Sequence, residues 1–126
     1  MKHRFILTPR YTPRMPERVS IGPSAVPALL MAPDAPGPHP AAIMQHGMAS
    51  QKEDLLPLAL VMASYGFVSL LPDAWGHGEH PRRDDVSRHA SPSDYFVAVT
   101  RHTAHTLRAA ITTLARRPEA RPDAII

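Results

Sequence analysis

A His-Gly-Met tripeptide at residues 46–48 follows a short apolar run at 41–45. A glycine beside a histidine there lets the main chain turn sharply and present its amides outward. An N–H fixed at such a turn can stabilise an oxyanion developing on a substrate, worth roughly 10²–10³ in rate for one donor. The same pair also serves ordinary strand-to-helix turns. A second cluster, Leu71-Pro72-Asp73-Ala74-Trp75-Gly76-His77-Gly78, follows another apolar run at 67–71. Gly76 and Gly78 flank His77, so this loop folds tightly and can pack beside the first. Asp73 either accepts hydrogen bonds from neighbouring amides and holds the two loops together, or stands as a solvated turn aspartate.

Short apolar runs bounded by turn signals are the pattern of buried parallel strands. Between them, residues 53–65 place Leu55, Leu56, Leu60, Met62 and Ala63 on one helical face. Ser50 and Glu53 have the spacing of a capping box, and Gly66 closes the helix. Strand, helix and strand make a βαβ unit with a parallel sheet. Upstream, Glu17–Ile21 and residues 25–32 read as an antiparallel opening hairpin, with Pro27 pushing the second strand towards a sheet edge or a strand start. Downstream, Ser93 is expected to cap a long helix running to about Arg117, with Phe96, Val99, Thr103, Leu107, Ala110, Ile111 and Leu114 on one face. Residues 123–126 begin one more buried strand. The fold class is α/β, with an irregular N-terminal arm over 1–17 and a partial α/β domain over 18–126. Both chemical clusters then lie past the carboxyl ends of parallel strands, where open α/β sheets bind ligands.

Composition narrows the rest. The 126 residues suit one small domain, 44% hydrophobic and 20% charged, close to the usual globular balance. Fifteen prolines cluster between the periodic segments and act as rigid turns. The net charge of +3 comes from scattered arginines, without the basic stripe that marks a nucleic-acid surface. There is no cysteine, hence no disulfide or thiolate site. The basic start at Met1-Lys2-His3-Arg4 is followed by too short an apolar run for a signal peptide, and no stretch approaches a membrane span. The expectation is a soluble, cytoplasmic chain that binds neither nucleic acid nor membrane.

The order of motifs from about Val19 to Ile126 resembles the α/β-hydrolase superfamily, and within it dienelactone-hydrolase-like and prolyl-oligopeptidase-like esterases. The resemblance rests on His46-Gly47, Gly66-Phe67, Pro72-Asp73 leading to Gly76-His77-Gly78, and Thr106-Leu107-Arg108-Ala109-Ala110-Ile111. It implies that residues 41–45 are the third strand and that the Met48 amide is an oxyanion-hole donor, shaped by His46 and Gly47. Residues 67–71 become the fourth strand, with Asp73, Trp75, Gly76, His77 and Gly78 as its structural loop. Residues 79–92 fall where such enzymes carry variable substrate-facing segments, and 123–126 begin the fifth strand, which leads into the nucleophile elbow G-x-S-x-G. Many members have arginine where this chain has Trp75. None of the serines at 20, 24, 50, 64, 69, 87, 91 and 93 lies in a G-x-S-x-G context, and the acid and histidine of the family's triad lie further on.

The expectation is therefore the N-terminal half of a hydrolase for a small-molecule carboxylic ester, or less favourably a peptide bond, with no cofactor and no activity alone. The alternative from another class is a non-catalytic interaction module, completed by a partner chain or by self-association through an uncovered sheet edge. Two narrower readings are disfavoured. His77/His80 and His102/His105 each pair histidines three apart, but a zinc site needs three or four converging ligands, so no metal is expected. A Ser-His site built from Ser50, His46 and Asp73 conflicts with Ser50 as a cap.

Overall fold

The computed structural model describes residues 8–80 and 91–126. Five strands form a single mixed sheet: β1 (Glu17–Ile21), β2 (Val26–Met31), β3 (His39–Ile43), β4 (Val68–Pro72) and β5 (Ala120–Ile125), in the order β1-β2-β4-β3-β5. β1 pairs antiparallel with β2, and β2 antiparallel with β4. β3 runs parallel to β4, with Ala41 opposite Val68 and Ile43 opposite Leu70, and parallel to β5 on its other side. A 3₁₀ turn, Lys52–Leu55, leads into α1 (Leu56–Ser64), and α2 (Pro92–Ala115) joins β4 to β5.

The side-chain period of two divides the core into two layers. Ala28 and Leu30 of β2, with Val68 and Leu70 of β4, face α2 and meet Ala110 and Leu114. Leu29, Met31 and Leu71 point the other way, against Ala59 and Ala63 of α1. One helix therefore covers each face of the sheet, as a parallel crossover requires. Among the described residues, no helix is long and apolar enough to cross a membrane.

Several boundaries differ from the expectation. The cap of the first helical segment is shifted by one residue: Gln51 N–H and the Ser50 hydroxyl both donate to the Asp54 carboxylate, at 3.0 and 2.6 Å. Glu53, expected in the box, instead turns to the Lys52 ammonium at 2.9 Å. The long helix starts two residues early, because Ser91 accepts the Asp94 N–H and Pro92 occupies the first turn, where a missing N–H costs nothing. Its buried stripe is Val99, Thr103, Thr106, Ala110 and Leu114, while Phe96 and Ile111, expected on that face, are exposed.

Pro27 sits at a strand start, but β2 is an inner strand flanked by β1 and β4; the proline carbonyl accepts the Asp73 N–H at 3.0 Å. β3 begins and ends two residues earlier than residues 41–45, and β5 begins at Ala120 rather than Asp123. β5 tolerates Pro122 because, among the described residues, it pairs only with β3, so one of its edges needs no donors. Most of the expected variable segment over 79–92 lies outside the described residues.

Candidate functional site

Parallel pairing of β3 and β4 brings their carboxyl ends to one rim, so the loops that follow them meet. His46 is buried and uses both ring nitrogens: Nδ1 is 2.8 Å from the Gly47 carbonyl, and Nε2 accepts the Ala74 N–H at 2.9 Å. His77 does the same in reverse, with Nδ1 2.9 Å from the Trp75 carbonyl and Nε2 accepting the Ala49 N–H at 3.3 Å. Acceptance at Nε2 assigns both imidazoles the tautomer protonated at Nδ1. The His46 Nε2 lies 3.7 Å from an Asp73 carboxylate oxygen, but with a lone pair there the contact is not an ion pair.

Asp73 is fully buried and is the acceptor hub beneath the rim. One oxygen accepts the Lys52 N–H at 2.9 Å; the other accepts the Lys52 ammonium at 2.6 Å and the Glu79 N–H at 2.9 Å. The Lys52 side chain, only 1% exposed, directs its three N–H groups to Asp73, Glu79 and Glu53, the last two both at 2.9 Å. Glu79 also pairs with Arg18 of β1. Burial alone would push the ammonium down, but hydrogen bonds to Asp73, Glu79 and Glu53 outweigh it and hold Lys52 above the ordinary lysine range. Burial would likewise raise Asp73, but bonds from the Lys52 ammonium and the two amides hold it below the usual carboxylate range. Asp73 is thus no solvated turn residue.

Lys52 is absent from the sequence reading, because its partner lies 21 positions away. A signal was present: the chain has only two lysines, Lys2 and Lys52, and otherwise uses arginine. A compact ammonium suits a buried pocket with three separate acceptors better than a planar fork does.

The glycines divide differently from the expectation. Gly78 has φ +53°, and a Cβ there would overlap the Asp73 carboxylate, so only glycine fits. Gly47 has no such constraint, since a Cβ would meet nothing within 4 Å. The left-handed turn of the first loop is made by Ala49, at φ +60°. Met48 stands between them, its residue 47% exposed. Its N–H and that of Gly47 have no acceptor among the described residues. Ser50 is committed to Asp54 and makes no bond to His46. Trp75 is buried and stacks on His102 of α2, ring centroids 4.8 Å apart. Gly76 turns at φ +72°. No group of three or more His, Cys, Asp or Glu is placed to hold a metal ion among the described residues.

No family model and no curated protein matches the sequence. Solved structures do match the fold. The chain is similar to a dienelactone-hydrolase-like promiscuous phosphotriesterase from metagenomic libraries (TM-score 0.65, 18% identity), covering 88% of this chain and 46% of that one. It is similar to a 2,6-dihydroxy-pseudo-oxynicotine hydrolase (TM-score 0.60, 23% identity), over 93% of this chain and 29% of that one. It is also similar to acetyl xylan esterase 1 from a Thermoanaerobacterium species (TM-score 0.55, 20% identity), over 79% and 34%. The chain thus spans less than half the length of each of these hydrolases. At these identities the likeness establishes architecture, and the architecture of this chain is a partial α/β-hydrolase fold.

Proposed function

We propose that this chain supplies the oxyanion-binding loop of a serine hydrolase acting on carboxylic esters, with peptides as the lesser alternative. The observation that carries the reading is the Met48 amide. It belongs to an exposed residue past the carboxyl end of β3 and has no acceptor among the described residues, in a loop pinned by the His46 and His77 bonds. When an alkoxide attacks an ester carbonyl, charge gathers on the carbonyl oxygen, and a preorganised N–H stabilises it without reorganising. Three hydrolases, one of them an esterase, share the architecture.

The nucleophilic serine and its acid and histidine partners are then supplied from outside these 126 residues. Ser50 spends its hydroxyl proton on Asp54, and neither nitrogen of His46 is available to it. Acyl transfer through a serine needs no cofactor. Fluorophosphonate labelling and p-nitrophenyl acetate hydrolysis test this reading on the isolated chain. The expected result is no adduct and no turnover above a Met48 and His46 variant control. A serine adduct within the chain overturns the assignment.

A second reading, a module completed by a partner chain or a second copy, is favoured by its uncovered surfaces. β5 has one unpaired edge among the described residues, and Leu58, Leu60, Val61 and Tyr65 of the α1 segment are exposed. Such surfaces are ones that proteins normally cover. Size-exclusion chromatography decides it: association supports the reading, and a clean cooperative monomer counts against it.

A further inference from the structure

The nine residues of α1, Leu56–Ser64, include no charged side chain. Ala59 and Ala63 are buried against the sheet, while Leu58, Leu60, Val61 and, just past the helix end, Tyr65 are exposed. A helix that is apolar all round is normally covered on every side. We propose that the cover is a second copy of this chain, with α1 packed antiparallel against α1 across a two-fold axis. The inference rests on the second reading above, an association module, and names its surface and its occupant.

Spacing and charge together select that occupant. Leu58, Val61 and Tyr65 follow one another at intervals of three and four, the spacing of the apolar seam between paired helices. In an isologous pair every contact is reciprocal, so Leu58 of one copy faces Tyr65 of the other, and the two Val61 side chains meet near the axis. The ends of the seam carry opposite charges. At its start Asp54 is exposed and accepts both of its cap bonds on one oxygen, leaving the other without a partner among the described residues. At its finish the Arg10 N–H donates to the Ser64 carbonyl at 2.9 Å, and the exposed Arg10 side chain forms no ion pair among the described residues. Antiparallel packing sets Asp54 of each copy towards Arg10 of the other, whereas parallel packing sets like charges side by side. A membrane surface fits less well, because helices that lie on one carry lysine or arginine along the polar side. Here the flanking charges are Glu53 and Asp54, and Lys52 is buried.

Sedimentation velocity of the 126-residue chain, over protein concentrations from roughly 1 µM to 1 mM, tests the proposal. The seam is short, so the expected dimer is weak, with a dissociation constant roughly micromolar or above. Leu58→Glu and Val61→Glu should each raise that constant roughly tenfold or more, since each places a carboxylate in the seam of both copies. Both positions are exposed, so the thermal melt at the lowest concentration should not fall. Arg10→Glu sets a carboxylate against Asp54 of the other copy and should raise the constant roughly threefold or more, while Arg10→Lys should leave it near the wild-type value. Ile111→Glu, an equally exposed apolar position on α2, should leave it unchanged. A dimer that survives both Leu58→Glu and Val61→Glu, or that Ile111→Glu weakens as much, overturns α1 as the surface and leaves the association reading standing. Equal constants for Arg10→Glu and wild type overturn the antiparallel pairing. A wild-type chain that stays monomeric throughout overturns the proposal and the reading beneath it.

Discussion

His46 and His77 tie the two rim loops by matching bonds, each imidazole accepting a main-chain N–H from the loop opposite, at 2.9 Å from Ala74 and 3.3 Å from Ala49. The pair is asymmetric in burial, and the energies follow. His46 is buried, so His46→Ala leaves the Ala74 N–H without a partner, while the Gly47 carbonyl keeps the Ser50 N–H. An unsatisfied buried group costs about 1–3 kcal/mol. His77 is only partly buried, and water can replace its bond to Ala49, so His77→Ala should cost less than about 1 kcal/mol. Urea denaturation of the two variants measures both values; equal losses would refute the assigned asymmetry.

Lys52→Met removes the cation from a fully buried carboxylate, leaving Asp73 with its two amide donors alone. Breaking a buried pair from one side costs about 3–5 kcal/mol, and the urea midpoint should fall accordingly.

The same pair sets a pH dependence whose sign follows from linkage. Asp73 has a folded pKa below its ordinary 3.8, so its stabilisation is complete above that value and is lost as pH falls through the folded one. Lys52 has a folded pKa above its ordinary 10.5, so its contribution is complete below that value and is lost only as pH rises through the folded one. Thermal melts of the wild type should therefore be insensitive to this pair between the two ordinary values and fall on the acid side. The stability gap between wild type and Lys52→Met should narrow as pH drops below 3.8. A gap that widens in acid would contradict the burial of an ionised Asp73.

Two glycines in the rim loops should respond oppositely to alanine. Gly78→Ala places a Cβ into the Asp73 carboxylate at positive φ. The left-handed backbone alone costs about 1–2 kcal/mol, and displacement of the buried carboxylate adds to it. Gly47→Ala meets open space and should stay within about 0.5 kcal/mol of wild type, as surface changes do. Denaturation midpoints of the two proteins check both.

Met48 separates side chain from main chain as the source of function. If the chain acts within a hydrolase as proposed, Met48→Ala keeps the amide and should keep the rate. Met48→Pro removes the N–H and should lower kcat by roughly 10²–10³, with circular dichroism confirming an intact fold. Equal rates for the two would remove Met48 from the oxyanion site.

Local pattern made the type and order of the elements legible in the 126 residues, because helical and strand periodicity and turn residues act over a few positions. The opening strand Glu17–Ile21 matched residue for residue, and the β3–α1–β4 crossover and the α2 stop followed the expected order. The proximity of the two loops followed from the inferred parallel pairing. Local pattern could not place Lys52 under Asp73, 21 positions away, or show that Ala49 rather than Gly47 makes the left-handed turn. It also put Phe96 and Ile111 on the buried side of α2, where the packed stripe instead takes Thr106 beside the expected Val99, Thr103, Ala110 and Leu114. A buried charge, a shared acceptor and a helix's rotation about its axis depend on which distant atoms arrive at one point, and only the packed chain decides that.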